Sequence, residues 1–329
     1  VSELNRFIHA RHWMKSNENF LTTWHAHVGY KLDLFHHFAE NTSVSQVADH
    51  CSIDLPLLNR WVEVGLEVGH LKKSVRGKIK AKKKMVKYAS AQSSESVGIL
   101  LREMMELHIP ALLEYPELMK SGERITYLED KFAEVVAETS TLLEKAAVGP
   151  VLKWIKKEQP NSIVDMGCGY GGYLKNIHDR FPDIQLQGVE INKQVCEKAE
   201  AALGGAVPVY NGDMVEFIES FNNKVDLVMA HNLLYYFPKE EREGLYTKIS
   251  RILNKGGSVT FITPVMGAKY GQTFTTAFNT FMTVHDNLYP LPTLDEIKRD
   301  SKKAKLKVKE VTPLIKEGGW YLVTLRKTK

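Results

Sequence analysis

The chain has 329 residues, enough for one large or two medium domains. Apolar residues make up 43% and charged residues 25%, ordinary globular usage that excludes a wholly disordered or collagen-like chain. With 44 Lys and Arg against 39 Asp and Glu the net charge is only +5, and no apolar run approaches the ~18 residues that a membrane span needs.

In chain order, residues 1–150 read as helical. Leu21–Phe38 spaces apolar and aromatic residues at threes and fours. A Ser or Thr cap in Thr42-Ser43 precedes a short helix, and Ile53-Asp54 opens another through Leu58, Trp61, Val62 and Leu66. Gly69-His70-Leu71 ends it, and the lysine-rich stretch 72–87 follows with partial alternation, as in a small hairpin. Residues 71–90 hold nine Lys or Arg and no acid, yet residues 1–150 are neutral overall, with 19 basic and 19 acidic residues. Helix, turn, helix and basic hairpin make a winged-helix pattern. Two further helical stretches, about Glu95–Leu118 and Leu128–Lys156, lead to Gln159-Pro160-Asn161.

Beyond that linker the period changes. Strands are expected at Ser162–Gly167, Ile184–Ile191, Val207–Tyr210, Val225–Ala230 and Ser258–Pro264, with helices at Tyr173–Phe181, Lys193–Leu203 and Lys239–Leu253 between them. Alternating strands and helices imply a parallel sheet covered on both faces. The end differs: Leu306–Ile315 and Trp320–Arg326 are separated only by Lys316-Glu317-Gly318-Gly319. A link that short makes the pair an antiparallel hairpin. The expected organisation is therefore a helical front domain over 1–150 and a doubly wound α/β domain over 151–329.

The first strand runs into Asp165-Met166-Gly167-Cys168-Gly169-Tyr170-Gly171-Gly172. Glycines there allow a tight turn and close ligand approach. Gly167, Gly169 and Gly172 satisfy the dinucleotide fingerprint G-x-G-x-x-G, and Glu190 lies where an acid would meet a ribose diol in a dinucleotide or another adenosine ligand. Asp165 stands two residues before the first glycine, Asp213 follows the third strand in Gly212-Asp213-Met214, and the terminal hairpin is foreign to a dinucleotide fold.

Together these features make residues 160–329 resemble the class I S-adenosylmethionine-dependent methyltransferases, whose seven-stranded Rossmann-like sheet ends in such a hairpin. The resemblance implies that Asp165, Gly167 and Gly169 face the methionine part of the cofactor and that Glu190 binds its ribose. It also implies that Asp213 binds adenine between the apolar walls Ile191 and Met214. The helical front domain resembles that of the small-molecule O-methyltransferases. Phe132, Val136 and Ser140 fall where that subgroup has F-x-x-x-M-x-x-x-S, and Gly212-Asp213-Met214 looks like its G-D-M motif. The front domain in that subgroup dimerises and closes over substrate, which implies a homodimer here; Leu21, Trp24, Leu34 and Phe35 supply apolar surface.

One motif departs from the subgroup. Where the O-methyltransferases carry His-Asp-Trp-Pro, with His as general base, this chain has Tyr235-Tyr236-Phe237-Pro238. A tyrosine of ordinary pKa near 10 is a poor base at neutral pH, but its hydroxyl can orient a substrate and its ring can face a sulfonium. Tyr235 and Tyr170 are thus candidate catalytic residues, with His285 a third; Asn232, after the fourth strand, is a candidate contact for cofactor or substrate. Relatives that C-methylate 2-keto acids hold a metal with the His-Asp pair and a later His; here only His285 could supply the later ligand, so no metal site is expected. The leading expectation is methyl transfer to an amino-acid-like or 2-keto-acid-like metabolite, the sequence resembling the 2-ketoarginine methyltransferase type. A second is cyclisation of S-adenosylmethionine itself, its amine attacking the γ-carbon to give azetidine-2-carboxylate and methylthioadenosine.

A third reading, a winged-helix DNA-binding protein with a vestigial cofactor domain, rests on residues 71–90 alone. The segment Pro56–Val68, where a recognition helix would lie, carries Glu63 and Glu67 against a single base, Arg60. Asp213 and the hairpin likewise disfavour an NAD-dependent oxidoreductase. Cys51, Cys168 and Cys196 are odd in number and far apart, and no signal-peptide pattern opens the chain. A cytoplasmic setting is therefore expected.

Overall fold

A computed structural model describes residues 3–127 and 129–328; the side chains of 129–134 and 137, Phe132 among them, lie outside the described residues. Backbone contacts divide the chain into two units, Val1–Pro110 and Ala111–Lys329.

In the first unit, the run Leu21–Phe38 is broken. A helix Glu18–Lys31 stops at Leu32, Asp33 takes a left-handed φ of 48°, and Leu34–His37 adds one short turn. Helices Val44–Cys51 and Leu55–Glu67 start where caps were expected. Ser43 and Gln46 form a reciprocal capping box, and Asp54 Oδ1 accepts from Leu57 N at 2.9 Å. An antiparallel hairpin of β1 (Leu71–Lys73) and β2 (Ile79–Ala81) follows, and Lys83–Tyr88 is a helix rather than a continuation of the hairpin. Phe35, Phe38, Leu58, Trp61, Val62 and Ile79 bury one core. Within it His25 stacks on Trp61 with centroids 4.1 Å apart and meets His70 Nδ1 at 2.9 Å. The basic stretch is partly neutralised, Lys80 by Glu40 and Lys87 by Glu95. The single helix expected over Glu95–Leu118 is instead Gly98–Glu103, a π-helical turn Met104–His108, Ile109–Leu113 and Tyr115–Ser121.

The second unit is built on a seven-stranded sheet. Its strands are β3 (Ser162–Met166), β4 (Gln185–Glu190), β5 (Val209–Asn211), β6 (Val225–Met229), β7 (Leu253–Pro264), β8 (Leu306–Ile315) and β9 (Trp320–Lys327), in the order β5-β4-β3-β6-β7-β9-β8. The first five are parallel, and β9 is antiparallel to both β7 and β8. This is the doubly wound α/β sheet with terminal hairpin that the strand–helix alternation implies. Three helices the alternation did not mark, Met214–Ser220, Gln272–Thr283 and Leu294–Lys303, complete the unit.

Because side chains alternate along a strand, the two faces have separate cores. Val164, Met166, Val189 and Val228 pack with Ile218, Leu245 and Ile249 on one side. Ile163, Leu186, Leu227 and Met229 pack on the other with Leu174 and Ile177, and with Ala147, Val151, Leu152 and Ile155 of the 30-residue helix Glu129–Glu158. By backbone contacts that helix lies within the second unit, Ala111–Lys329. Asp165, Glu190 and His231 continue the alternation of Ile163, Leu186 and Met229 and so share the face that this long helix covers.

Candidate functional site

At the carboxyl edge of β3–β6 the second unit encloses a cavity of about 510 Å³. Asp165, Gly167, Gly169, Tyr170, Glu190, Ile191, Asp213, Met214, Asn232 and Tyr235 all line it. Cavities of this size at strand ends are where α/β sheets bind ligands.

The loop after β3 is folded against β4: Gly167 N and Cys168 N both donate to Val189 O, at 2.8 and 3.0 Å. Gly169 has φ +55°, and a Cβ built there would meet nothing within 4 Å. That position is a cradle open to a ligand, kept by a residue that tolerates left-handed backbone. Glu190 holds both sides of it, Oε2 accepting from Gly169 N at 3.0 Å and Oε1 from Asn192 N at 2.9 Å. Asp213 caps the helix Met214–Ser220 through Oδ1, which accepts from Val215 N and Glu216 N. Ile191 is 64% exposed and Met214 is buried, giving one open and one fixed apolar wall.

Asp165 is 2% exposed, and its Oδ2 has no hydrogen-bond partner among the described residues. Burial, with the charges of Glu144 and Glu190 nearby, pushes its carboxyl well above the ordinary range. Buried acceptors are rarely left unpaired, so this oxygen marks a place where a ligand donor completes the site. His231 lies on the same face. Its Nε2 meets Thr260 Oγ1 at 3.1 Å, its ring stands edge-on to Tyr173, and burial pushes its pKa down to about 3. It is a neutral buried imidazole.

Tyr170, Tyr173, Tyr235 and Tyr236 surround this polar floor. Tyr235 sits in a single 3₁₀ turn, Leu234–Tyr236, 8% exposed, with Phe278 edge-on at 6.2 Å. Tyr170 has Lys198 Nζ 5.5 Å from its ring centroid. Asn232 takes φ 56°, a left-handed conformation that a non-glycine residue seldom adopts outside tight functional turns, and its Oδ1 accepts from Trp320 Nε1 at 3.1 Å.

His285 is not brought into this group. It is buried, its Nδ1 bonds to Phe281 O at 2.9 Å, and its ring packs edge-on against Tyr127. Tyr127, Asn287 and Leu288 line the cavity in its place. Asn287 holds Tyr127 through two bonds, Oδ1 accepting from Tyr127 N and Nδ2 donating to Tyr127 O. Glu144 also lines the cavity. Val136, Ser140 and Glu144 recur every four residues on one helix face; extending that spacing by one turn would have found the acid.

The site residues fit an adenosine-bearing ligand with a donor group at its far end. Asp213 with Ile191 and Met214 form one end, Glu190 the middle, and the open Gly169 with the unpaired Asp165 oxygen the other. Among the described residues no group of His, Cys, Asp and Glu could hold a metal ion, and no helix is long and apolar enough to cross a membrane.

Residues 163–257 match a family described as a methyltransferase domain. Similar curated proteins include the malonyl-[acyl-carrier protein] O-methyltransferase of Anoxybacillus flavithermus, 27% identical over 134 residues, 41% of this chain and 47% of that protein. The trans-aconitate 2-methyltransferase of Acidovorax sp. (strain JS42) is 29% identical over 107 residues, 32% and 40% of the two chains. The chain thus spans about half the length of the curated relatives it matches. An O-methyltransferase family protein from Burkholderia thailandensis has a similar structure, with TM-score 0.81 at 16% identity, covering 100% of this chain and 99% of that one. Human N-acetylserotonin methyltransferase in complex with SAM follows at 0.75 and 14%, with the same coverage. At these identities the structural likeness establishes the fold.

Proposed function

We propose that this chain, which carries a methyltransferase domain over residues 163–257, takes S-adenosylmethionine as its cofactor and methylates a small amino-acid-like or 2-keto-acid-like metabolite. One observation carries the reading: Asp165, Glu190 and Asp213, at the ends of three neighbouring strands, line a single cavity beside an open glycine turn. When bound, the cofactor supplies a methyl group on a sulfonium, already activated toward a nucleophile. The protein's share is therefore alignment more than strong acid–base work. Glu190 orients the ribose, Asp213 Oδ2 is left for adenine once Oδ1 has capped its helix, and Tyr170, Tyr173 and Tyr235 shield the reacting end from water. With tyrosines where a His base would stand, the acceptor is one that needs little deprotonation, such as a carboxylate, a stabilised carbon acid or an amine. The trans-aconitate relative, named for a small organic acid, supports that choice.

Incubation with S-adenosylmethionine, alone and with pools of amino and 2-keto acids, tests this by mass detection of products. S-adenosylhomocysteine formed only with an acceptor is the expected result. Methylthioadenosine formed without one would indicate cyclisation of the cofactor instead. Binding of NADH but not of S-adenosylhomocysteine would overturn the reading.

The front unit supports a homodimer. The helix Glu3–Ser16 buries none of its residues and exposes Leu4, Phe7, Ile8, Trp13 and Met14, apolar side chains that a second copy of the chain would cover. Light scattering at micromolar concentration is expected to give twice 37.4 kDa; a species of 37.4 kDa would refute the dimer.

A further inference from the structure

Glu144 projects from the long helix Glu129–Glu158 into the cavity, where no feature of the glycine loop requires an acid. Its carboxyl lies over the start of the helix Gly172–Arg180: a Cβ built on Gly172 would stand 2.0 Å from Oε1 and 2.4 Å from Oε2. Any larger residue at 172 would displace it. Around it the cavity presents Asp165 from β3, Tyr173 from the helix Gly172–Arg180 and His231 after β6, with Glu190 at the end of β4 and Lys145 beside it on its own helix. His231 is neutral and Asp165 Oδ2 is buried without a partner. The polar floor is therefore rich in acceptors, and among the described residues that line the cavity there is no Lys or Arg.

We propose that Glu144 is a specificity-determining residue that, with Asp165, clamps a protonated primary amine at the end of the ligand farthest from Asp213. This role rests on S-adenosylmethionine being the cofactor, in which that amine is the α-ammonium of the methionine part. The unpaired oxygen of Asp165 points independently to a donor at this place, and an ammonium offers three. Two carboxyls crowded together in a partly dry site repel each other, and a cation between them relieves that repulsion. Glu144 itself is pushed up to about 7 by burial, with Lys145 pulling the other way, and its charge in turn helps push Asp165 up.

The sign of the pH dependence follows. The ammonium is held by the ionised carboxyl, so affinity for an amine-bearing ligand rises as pH rises through 7 and Glu144 loses its proton. A nucleoside without the amine has nothing to gain.

Calorimetry with two ligands tests this: S-adenosylhomocysteine, which carries the α-ammonium, and methylthioadenosine, which lacks it. For the unmodified protein the affinity for S-adenosylhomocysteine is expected to rise roughly tenfold between pH 6 and pH 8, the change in ionised fraction of a group titrating near 7, with methylthioadenosine flat. Glu144→Gln is expected to abolish that rise and to lower S-adenosylhomocysteine affinity at pH 8 about tenfold, leaving methylthioadenosine within twofold. Gly172→Ala, which pushes the carboxyl from its seat, should reproduce the selective loss. If Glu144→Gln weakens both ligands equally, or neither, Glu144 is no amine clamp and the inference falls while the cofactor reading stands. If the unmodified protein binds neither ligand, the cofactor reading fails and takes this inference with it.

Discussion

Glu190→Ala is expected to weaken binding of S-adenosylhomocysteine by about 1.5–3 kcal/mol, the range for hydrogen bonds to a charged group and roughly ten- to a hundredfold in Kd. The carboxylate has two tasks. Its oxygens accept from Gly169 N and Asn192 N and so fix the loop, and the same carboxylate lines the cavity, where a ribose diol would donate to its remaining lone pairs. Alanine removes both. Glutamine is not a mild substitute, because its amide nitrogen must be set against one of those two N–H donors. Glu190→Gln is therefore expected to fall between Glu190→Ala and the unmodified protein. Calorimetric titration of the three proteins checks the order, and unchanged affinity in Glu190→Ala would remove Glu190 from the site.

Tyr235→Phe is expected to lower kcat about ten- to a hundredfold while leaving cofactor affinity within a factor of about two. The estimate is the loss of one hydrogen bond to a group that carries charge in the transition state. Tyr235 stands after β6 on the cavity wall, held by its 3₁₀ turn, by Tyr289 N donating to its backbone oxygen and by the edge-on ring of Phe278. A phenylalanine ring would keep that packing, so the variant isolates the hydroxyl. If only the π face matters, Tyr235→Phe stays active and Tyr235→Ala is the damaging change. Steady-state kinetics on both variants, with kcat and KM separated, distinguishes these roles; full activity in Tyr235→Ala would exclude both.

What the sequence by itself determined is local. Strand–helix alternation implied a parallel sheet, and a four-residue link implied the antiparallel end now seen as β8–β9. Ser43 and Asp54 marked helix starts because a cap needs only the residues beside it. The eight candidate cofactor contacts lie together because each stands at the end of a parallel strand or within three residues beyond it, and parallel strands bring all such ends to one edge.

Only the tertiary structure decided which helix covers that side. The pattern Leu128–Lys156 reads as a helix in either unit; the pairing of Ala147, Val151 and Ile155 with Ile163, Leu227 and Ile262 assigns it to the second. That same packing delivers Glu144 to Asp165. His285 is set apart for the converse reason: its neighbours Asn287 and Leu288 reach the cavity, whereas its own ring packs against Phe281 and Tyr127. Where the chain leaves a helix, no period remains to say which side chain faces in. Elements form from neighbours in sequence, whereas an acid and its partner on separate elements meet only when buried surface chooses the packing.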